Sequence, residues 1–469
     1  MALQILIYAA FLLCTAGLRA APLEPTSGLL FGAWLDTHPN QDTPAAFNKR
    51  LGLNATLFQM ALEIPINPSE ALPTHLLDGL GGNPILLLTL FPRFNYTFSG
   101  TGNDAFYQIE RGTVILEVAN LIAGYAANGR RVMVRIASEM NGNWYAHGQR
   151  PLRYKALWQK IVTAVRTRVA SVTTSADSVA FLWSPNTGNG YPFYGGSFAP
   201  FTSSNGPYNR STSVNATEFA ALDTNGDGVL DNQDDPYDPY WPGSDYVDWV
   251  GVSLYYFGTV FPWNANVVPP STYIRNILDG VQGVETSAAN RTISEFDFYD
   301  KYASSRGYNK PMMISETASA FHVYWYGYPN VTIDPGPGEL AIKQSIWREY
   351  ITNETFFAAH PRIKGICLFE WAKNEEQTFR DYRITWNSTI LNAFKADWLP
   401  MTQTRYLANA TAVPAKNDTS KGGSTGGSTG GGSGSPPRDT FVSGSVQVSG
   451  VTTAISAGFI LYAAFRYLA

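Results

Sequence analysis

Cysteine is nearly absent from this chain, which has only Cys14 and Cys367 among its 469 residues. Cys14 lies in an N-terminal apolar run that we expect to be removed, so one cysteine is left for the mature chain. A disulfide needs a pair, and the sequence therefore excludes a disulfide-stapled fold. An apolar core must hold the fold instead, and 45% hydrophobic residues can supply one.

An excess of positive charge is also missing. Lys and Arg number 33 against 37 Asp and Glu, and no basic run with interleaved aromatic residues occurs. The electrostatic footprint of nucleic-acid binding is therefore lacking. The length fits one barrel-sized domain with tails, since single α/β barrels commonly exceed ~250 residues. We expect this domain to span residues 21–412 and to be monomeric.

The N-terminus predicts secretion. The apolar run from Gln4 to Gly17 is too short to span a membrane, and the small residues Ala20 and Ala21 follow it. This order is typical of a signal peptide over residues 1–20, cleaved after Ala20. Asn-x-Ser/Thr sequons agree with secretion as glycosylation sites. They lie at Asn54, Asn95, Asn209, Asn215, Asn290, Asn330, Asn353, Asn387, Asn409 and Asn417.

The C-terminus predicts a lipid anchor. Residues 413–442 form a linker rich in Gly and Ser that cannot pack a core. Small residues beginning at Ser443, a polar spacer and an apolar tail from Val451 to Ala469 follow. Residues 443–469 thus have the order of a glycosylphosphatidylinositol (GPI) signal, with Ser443 as the anchor residue. A permanent membrane helix is disfavoured, because the tail carries Arg466 and runs to the last residue.

The region between the tails alternates strand-like and helical segments. Helical spacing is clearest over Val114–Ala127 and Tyr154–Val169, and each helix lies between two strands. The predicted strands are Leu29–Trp34, Ala55–Gln59, Pro84–Leu90, Arg131–Ile136, Val179–Trp183, Trp249–Ser253, Pro311–Ser315 and Gly365–Phe369. Eight strands in this βαβ rhythm predict an α/β fold of the (β/α)8 TIM-barrel type. Function on that fold sits at the C-terminal ends of the strands.

Two glutamates follow apolar strands, Glu139 after the fourth and Glu316 at the end of the seventh. A buried strand end is an expensive place for a charge, so such a carboxylate is usually catalytic or ion-paired. Two facing carboxylates suit the hydrolysis of a glycosidic bond with retention, one as proton donor and one as nucleophile. The alternative is a pair of structural carboxylates held by neighbours such as Arg135.

Four segments in order carry a family resemblance: Arg135–Gly148, Trp183–Asn186, Tyr240–Tyr255 and Lys310–Glu316. Together they resemble glycoside hydrolase family 26 over residues 29–400. The resemblance implies a (β/α)8 barrel, net retention and activity chiefly on β-1,4-mannans, with a minority of members acting on β-1,3/1,4-glucans or β-1,3-xylans. No cofactor is implied for catalysis.

The same resemblance implies roles for individual residues. Glu139 would be the acid/base and Glu316 the nucleophile. Tyr255 would hydrogen-bond the nucleophile, while Trp144 and Trp371 would contact the bound sugar. The remaining residues predicted to contact substrate are Arg135, Ser138 and Asn141.

Two departures leave the sugar open. Family members usually carry His before the acid/base, where this chain has Ser138, and the segment from Leu86 to Arg93 lacks a histidine after the third strand. A hydroxyl reaches the sugar differently from an imidazole, near the carbon at which mannose and glucose differ. We therefore keep a wall β-1,3/1,4-glucanase or transglycosylase as an alternative. A wall-binding protein without turnover is the alternative of another class.

An acidic loop over residues 223–234 predicts a structural calcium site. Its oxygen ligands would follow the spacing of a calcium loop, with Gly228 at the sharp turn. The predicted ligands are Asp223, Asn225, Asp227, the Val229 carbonyl, Asp231 and Asp234. Pro236, Pro239 and Pro242 forbid the usual exit helix. The alternative is a solvated Asp/Gly turn.

Overall fold

Eight parallel strands close into a barrel, as the sequence predicts. The computed structural model describes residues 20–406, except 39–40, 70, 93–105, 107–109, 111, 203–205, 260, 281–284, 288–290, 293–295 and 403. The barrel strands are β1 (Leu30–Leu35), β2 (Leu57–Ile64), β3 (Ile85–Pro92), β4 (Val132–Ile136), β5 (Val179–Trp183), β6 (Trp249–Tyr256), β7 (Met312–Ser319) and β8 (Ile363–Glu370). The strand β1 pairs with both β2 and β8, which closes the sheet.

Helices connect the strands and cover the barrel. Both predicted helices are present, with α3 extended at each end of its prediction. The α-helices are α1 (Pro44–Leu51), α2 (Gly112–Ala127), α3 (Pro151–Val172), α4 (Ala216–Leu222), α5 (Tyr273–Leu278), α6 (Glu339–Glu349), α7 (Glu354–Ala359) and α8 (Ser388–Thr402). Short helical turns lie at Thr74–Leu77, Ala176–Ser178, Asp238–Tyr240, Ser244–Tyr246 and Tyr299–Ala303. Two-residue strands pair Tyr208–Asn209 with Val229–Leu230, and Glu285–Ser287 pairs with Arg291–Thr292.

The core has two parts, because side chains alternate between the inside of the barrel and its helix-covered outside. On β3, Leu86, Leu88 and Leu90 pack outward under the helices, while Ile85 and Leu87 point inward. The inward cluster is completed by Leu30, Leu57, Met133, Ala180, Leu182, Trp249, Met313 and Cys367. These apolar residues fill the lower barrel, so polar inward positions are confined to the upper part.

A second sheet rises from the C-terminal ends of β7 and β8, and we call it the mouth sheet. Its strands, in spatial order, are Tyr328–Thr332, Phe321–Trp325, Thr378–Asp381 and Ala372–Glu375. All its pairings are antiparallel. The segments that follow two neighbouring barrel strands thus fold together into one wall at the mouth.

The segment Ala21–Glu24 covers the opposite end of the barrel. The indole Nε1 of Trp249, at the start of β6, donates to the carbonyl of Pro22 at 2.8 Å. Glu24 accepts from Arg362 at 2.6 Å, just before β8 begins. Leu23 packs against the inward apolar cluster. This end of the barrel is therefore closed by packing and by one ion pair.

Several predicted segments lie outside the described residues. They are residues 1–19 of the predicted signal peptide, the linker and the anchor segment with Ser443. The sequons at Asn95, Asn290, Asn409 and Asn417 lie outside the described residues as well. Within the described part of the chain, no helix has the length and apolar character needed to cross a membrane.

Candidate active site

Glu139 stands just above the end of β4 in an unusual backbone conformation. Its φ is +57° and that of Ala137 is +44°, a region that side-chain-bearing residues seldom occupy. Hydrogen bonds hold this turn, since Ala137 N donates to Leu90 O and Glu139 N donates to Ser184 O, at 2.8 and 2.9 Å. The neighbouring strands thus fix a strained turn, as is common at functional sites.

A bulge in β7 directs Glu316 into the barrel. Ile314 pairs with Val252 and Glu316 pairs with the next residue, Ser253, so Ser315 is one residue too many. Regular alternation would turn Ser315 and Glu316 to opposite faces, but a bulge re-aims the side chain that follows it. Ser315 Oγ bonds Ser184 Oγ inside the barrel at 2.7 Å, while Glu316 meets Arg135.

Buried hydrogen-bonding groups surround Glu316 on the side of Glu139. Arg135 Nη1 donates to Glu316 Oε2, and its Nη2 donates to Ser253 Oγ at 2.7 Å. Tyr255 donates its hydroxyl to the other oxygen, Glu316 Oε1, at 2.8 Å. Ser253 also lies close enough to the carboxyl of Glu139 to lower its pKa. The predicted contact between Tyr255 and Glu316 is present, within β6 rather than just after it.

The carboxyl groups of Glu139 and Glu316 have different surroundings. Burial raises the pKa of Glu139, and the negative charge of Glu316 raises it further. Arg135, Ser253 and Trp144 offset this only in part, so the pKa of Glu139 stays above its ordinary value. Glu316, by contrast, is held directly by a guanidinium and a phenol. Glu139 thus has the surroundings of a proton donor, and Glu316 is the carboxylate of a buried ion pair.

Trp144 lies against the predicted acid. Its indole Nε1 donates to Glu139 Oε2 at 2.8 Å, and its half-buried ring stands edge-on to Phe193 at 5.0 Å. Gly142 makes room for this ring, because a Cβ at that position would lie 2.4 Å from indole carbons. The glycine of the predicted motif therefore has a defined steric role.

Trp371 belongs to an aromatic cluster on the far side of Glu316. Its ring lies parallel to that of Phe369 with centroids 5.9 Å apart, and Trp34 and His38 meet it edge-on. Phe369 in turn meets the ring of Tyr255 at 5.7 Å. The half-buried Trp371 is thus linked to the predicted nucleophile through Phe369 and Tyr255, and its role as a platform for a bound sugar stays a prediction.

Three residues that were predicted to contact substrate are fully covered in this structure. Arg135, Ser138 and Asn141 are 0%, 1% and 0% exposed. Arg135 holds Glu316, and the Asn141 side chain exchanges two hydrogen bonds with the backbone of Asn186. The Ser138 carbonyl accepts from His147 at 2.9 Å. A sugar does not reach these covered side chains in this structure, and their contact with substrate stays a prediction.

Some residues of the site were missed by sequence reasoning. Ser253 lies in a predicted strand but gave no signal of its own, because its partners come from β4 and β7. Tyr145 lies close enough to Glu139 and Glu316 that their charges add to burial in raising its pKa. Its position directly after Trp144 could have suggested a second ring in the cleft.

Glu375, on the mouth sheet, was missed as well. Although burial raises the pKa of its carboxyl, Lys373 and Arg380 outweigh this and hold the pKa at about 2. It accepts the hydroxyl of Tyr382, whose ring lies 6.0 Å from that of Tyr255. A carboxyl group with a lowered pKa therefore lies near Tyr255, on the side of the predicted nucleophile.

The acidic loop is held by its own hydrogen bonds. The Asp223 carboxylate accepts from the backbone N–H groups of Gly226 and Gly228, and Asp227 accepts from Val229. The buried Asp234 accepts from three backbone N–H groups and so joins the two ends of the loop. Nowhere in the described part of the chain do three acidic, His or Cys side chains converge as metal ligands. Calcium binding by Asp223, Asn225, Asp227, Val229, Asp231 and Asp234 stays a prediction.

The described sequons all offer access to the asparagine. Asn54, Asn215, Asn330 and Asn387 are exposed, and Asn209 and Asn353 are partly exposed. Asn215 and Asn353 also cap helices, with their side-chain oxygen accepting backbone N–H groups. Glycosylation at these positions stays a prediction.

Comparison with known proteins gives only distant likenesses. No family model and no curated protein matches the chain. A mannanase structure from Bacillus subtilis is 14% identical, with a TM-score of 0.39 over 81% of this chain and 87% of that chain. The catalytic domain of a Bacillus sp. endo-β-1,4-mannanase is 15% identical, with a TM-score of 0.45 over 79% and 86%.

A modular endo-β-1,4-mannanase from Cellulomonas fimi is similar at the same level. Its identity is 12% and its TM-score 0.44, over 79% of this chain and 70% of that chain. Likenesses this weak establish neither a family nor a substrate. The functional assignment of the chain therefore depends on the geometry of Glu139 and Glu316.

Proposed function

We propose that this protein is a retaining β-glycoside hydrolase that acts on a polysaccharide. One observation carries the proposal: Glu139 and Glu316 reach the same barrel mouth in different surroundings. Glu139 has a raised pKa, and Glu316 is held by Arg135 and Tyr255. Glycoside hydrolysis needs this division between a proton donor and a charged carboxylate.

In the first step, Glu139 gives its proton to the glycosidic oxygen as the bond to the leaving sugar breaks. Glu316 Oε attacks the anomeric carbon and forms a glycosyl ester. Tyr255 and Arg135 orient the attacking carboxylate. As the ester forms, Glu316 loses its charge, which removes the main electrostatic cause that raises the pKa of Glu139. Glu139 can then act as a base.

In the second step, Glu139 takes a proton from water, and the oxygen of that water attacks the anomeric carbon. Glu316 leaves as a carboxylate and recovers its bonds to Arg135 and Tyr255. The two inversions restore the original configuration of the sugar. Trp144 orients the carboxyl of Glu139 through its indole N–H in both steps.

For the substrate, we propose β-1,4-mannan, following the family resemblance of the four sequence segments. A second candidate, β-1,3/1,4-glucan hydrolysis or transglycosylation, is favoured by Ser138. This residue replaces the usual family histidine and is 1% exposed, so it offers no polar contact at the cleft surface. Recognition of the sugar must therefore come from other groups.

Product analysis after incubation with mannan, mixed-linkage glucan, laminarin and xylan tests the proposal. We expect release of oligosaccharides from one of the first two, with the anomeric configuration retained when products are followed by NMR. Inverted product would overturn the assigned mechanism. If none of the polymers is cleaved but one binds, the protein is a wall-binding protein on a glycosidase fold.

We propose further that the mature protein is secreted and held at the cell surface by a GPI anchor. The N-terminal apolar run, the sequons and the C-terminal order of small, polar and apolar residues support this. A phosphatidylinositol-specific phospholipase should release the protein from membranes. Peptides from Ile455 to Tyr467 in the mature protein would contradict the anchor.

A further inference from the structure

Beyond the residues already discussed, an aromatic run leads away from the nucleophile along the loop after β6. The ring of Tyr255 stacks on Phe257 with centroids 5.3 Å apart and 13° between planes. Phe257 contacts Trp263 at 5.4 Å, and Trp263 contacts Phe261 at 4.9 Å. Tyr255, Phe257 and Trp263 are partly buried, and Phe261 is 36% exposed.

Trp263 is held in a backbone conformation that a bulky residue rarely adopts. Its φ is +53°, in the left-handed region where glycine is at ease and a tryptophan is not. The loop also folds back closely on itself, since a Cβ at Gly258 would lie 3.7 Å from Cα of Trp263. Gly258 itself has a φ of +137°. Such strain persists only where the surrounding structure enforces it, and it is concentrated at functional sites.

The mouth sheet enforces this conformation. Arg380, which is 1% exposed, donates from Nη2 to the carbonyl of Trp263 at 3.2 Å and lies over the ring of Phe257 at 5.3 Å. Asn264 donates to Gln377 Oε1 at 3.1 Å. His322 Nε2 donates to the carbonyl of Phe257 at 2.7 Å. The loop is therefore fixed at both ends of the aromatic run before any ligand arrives.

We infer that Trp263, with Phe261 beside it, forms a sugar-binding subsite beyond the reacting sugar, for a β-linked hexose chain. The inference rests on the proposed function. Flat, partly exposed rings suit the apolar faces of hexoses, and a ring that the protein fixes in advance binds at a lower entropic cost. The subsite lies two ring contacts from Tyr255, so a chain bound there extends past the sugar on Glu316.

The backbone strain supplies an informative variant. Trp263→Gly removes the ring and suits a φ of +53°, so the loop should keep its fold and the melting temperature should be retained. Trp263→Phe keeps a smaller ring. Tyr308→Ala is the matched control, because Tyr308 is 42% exposed but lies near Pro22 and Pro311 at the closed end of the barrel.

The measurement is the ratio of kcat/KM on a long oligosaccharide to that on a short one. Mannohexaose against mannotriose and cellohexaose against cellotriose are used, so that either proposed substrate is covered. We expect Trp263→Gly to lower this ratio by about 10-fold, the loss of one aromatic contact. Trp263→Phe should lower it less, and Tyr308→Ala should leave it unchanged.

Two outcomes overturn the subsite while the proposed function stands. In one, Trp263→Gly leaves the ratio unchanged. In the other, it lowers kcat/KM equally on long and short substrates, which would mean that the ring only supports the loop. If the wild-type protein cleaves neither series nor the parent polymers, the proposed function itself fails, and the subsite fails with it.

Discussion

Each end of the barrel carries a glutamate paired with an arginine, yet the two pairs have different surroundings. At the mouth, Glu316 pairs with Arg135, and at the closed end, Glu24 pairs with Arg362. Both glutamate side chains are 10% exposed. The second oxygen of Glu24 accepts a backbone N–H from Ala21, whereas that of Glu316 accepts the hydroxyl of Tyr255.

The difference lies in what surrounds each pair. Near Glu24 the neighbours are a folded-back chain segment and the apolar lower core, so the pair joins two parts of the structure. Near Glu316 there is a second carboxyl group, that of Glu139, and the charge of Arg135 acts on both. Two carboxyl groups this close repel each other when both are ionised, and a structural ion pair has no need of the second one. Burial alone therefore does not distinguish the two glutamates. What distinguishes them is that Arg135 acts on two carboxyl groups, whereas Arg362 is paired with Glu24.

The largest expected effect separates the two pairs directly. Glu316→Gln should lower kcat on the substrate on the order of 10⁴-fold or more, because no nucleophile remains. Glu24→Gln should leave kcat of the folded protein unchanged and lower the free energy of unfolding by about 1–3 kcal/mol, the value of a hydrogen bond to a charged group. Steady-state kinetics and denaturant unfolding of both variants check this. The comparison fails if Glu24→Gln is the one that abolishes turnover.

Glu139→Gln should come next in size, with a loss of about 10²- to 10⁴-fold on polysaccharide. An activated aryl glycoside should suffer far less, because its leaving group needs little protonation. In the wild type, the raised pKa of Glu139 should place the basic limb of the pH–rate profile above the ordinary range of a carboxyl group. Similar losses on both substrates would contradict the role of proton donor.

The same raised pKa affects stability. A carboxyl group whose pKa is raised by folding contributes stability that is fully present below its unfolded pKa and is lost as pH rises through the folded pKa. The free energy of unfolding should therefore fall over this pH window in the wild type. Glu139→Gln should flatten this fall, and unfolding in denaturant at several pH values measures it.

Variants at the two ends of β6 should have smaller effects. Tyr255, near the mouth end of β6, bonds the nucleophile, and Trp249, at the other end, bonds Pro22. Tyr255→Phe should lower kcat by about 10- to 100-fold at nearly unchanged stability, since it removes one bond to a charged group. Trp249→Phe should mainly lower the melting temperature. A kinetic defect in Trp249→Phe as large as that in Tyr255→Phe would show that the two ends are not independent.

The smallest expected effect concerns the acidic loop, which is neither at the closed end nor part of the carboxylate pair. If the loop binds calcium, a chelator should lower stability by up to about 2.7 kcal/mol at a hundredfold excess of ion over its dissociation constant. The double variant Asp223→Ala with Asp227→Ala should no longer respond to the chelator. An unchanged melting temperature of the wild type in chelator would leave only the solvated turn.

Much of the fold could be predicted from sequence because barrel strands are buried on both faces. Each predicted strand is present, and β5 has the predicted bounds. Errors concentrate at C-terminal ends: β6 and β7 continue to Tyr256 and Ser319, past the apolar runs that predicted them. In β7 the chain becomes polar from Ser315 to Thr317 while its pairing with β6 continues.

The mouth sheet and the Ser253 contacts could not be predicted, for a related reason. The strand Tyr328–Thr332 is exposed throughout, so it lacks the alternation of a half-buried strand. Phe321–Trp325 pairs with Thr378–Asp381, which lies far away in sequence. Arg135 contacts Glu316 and Asn141 contacts the backbone of Asn186. A motif does not show whether its polar side chains face the ligand or support those that do.

The mouth sheet also limits how this cleft can be altered by exchanging loops. Its central pairing joins Phe321–Trp325, which follows β7, to Thr378–Asp381, which follows β8. A graft that replaces only one of these segments would leave the other with an unpaired edge and would release the loop that Arg380 holds. Engineering and evolutionary change of specificity should therefore move both segments as one unit.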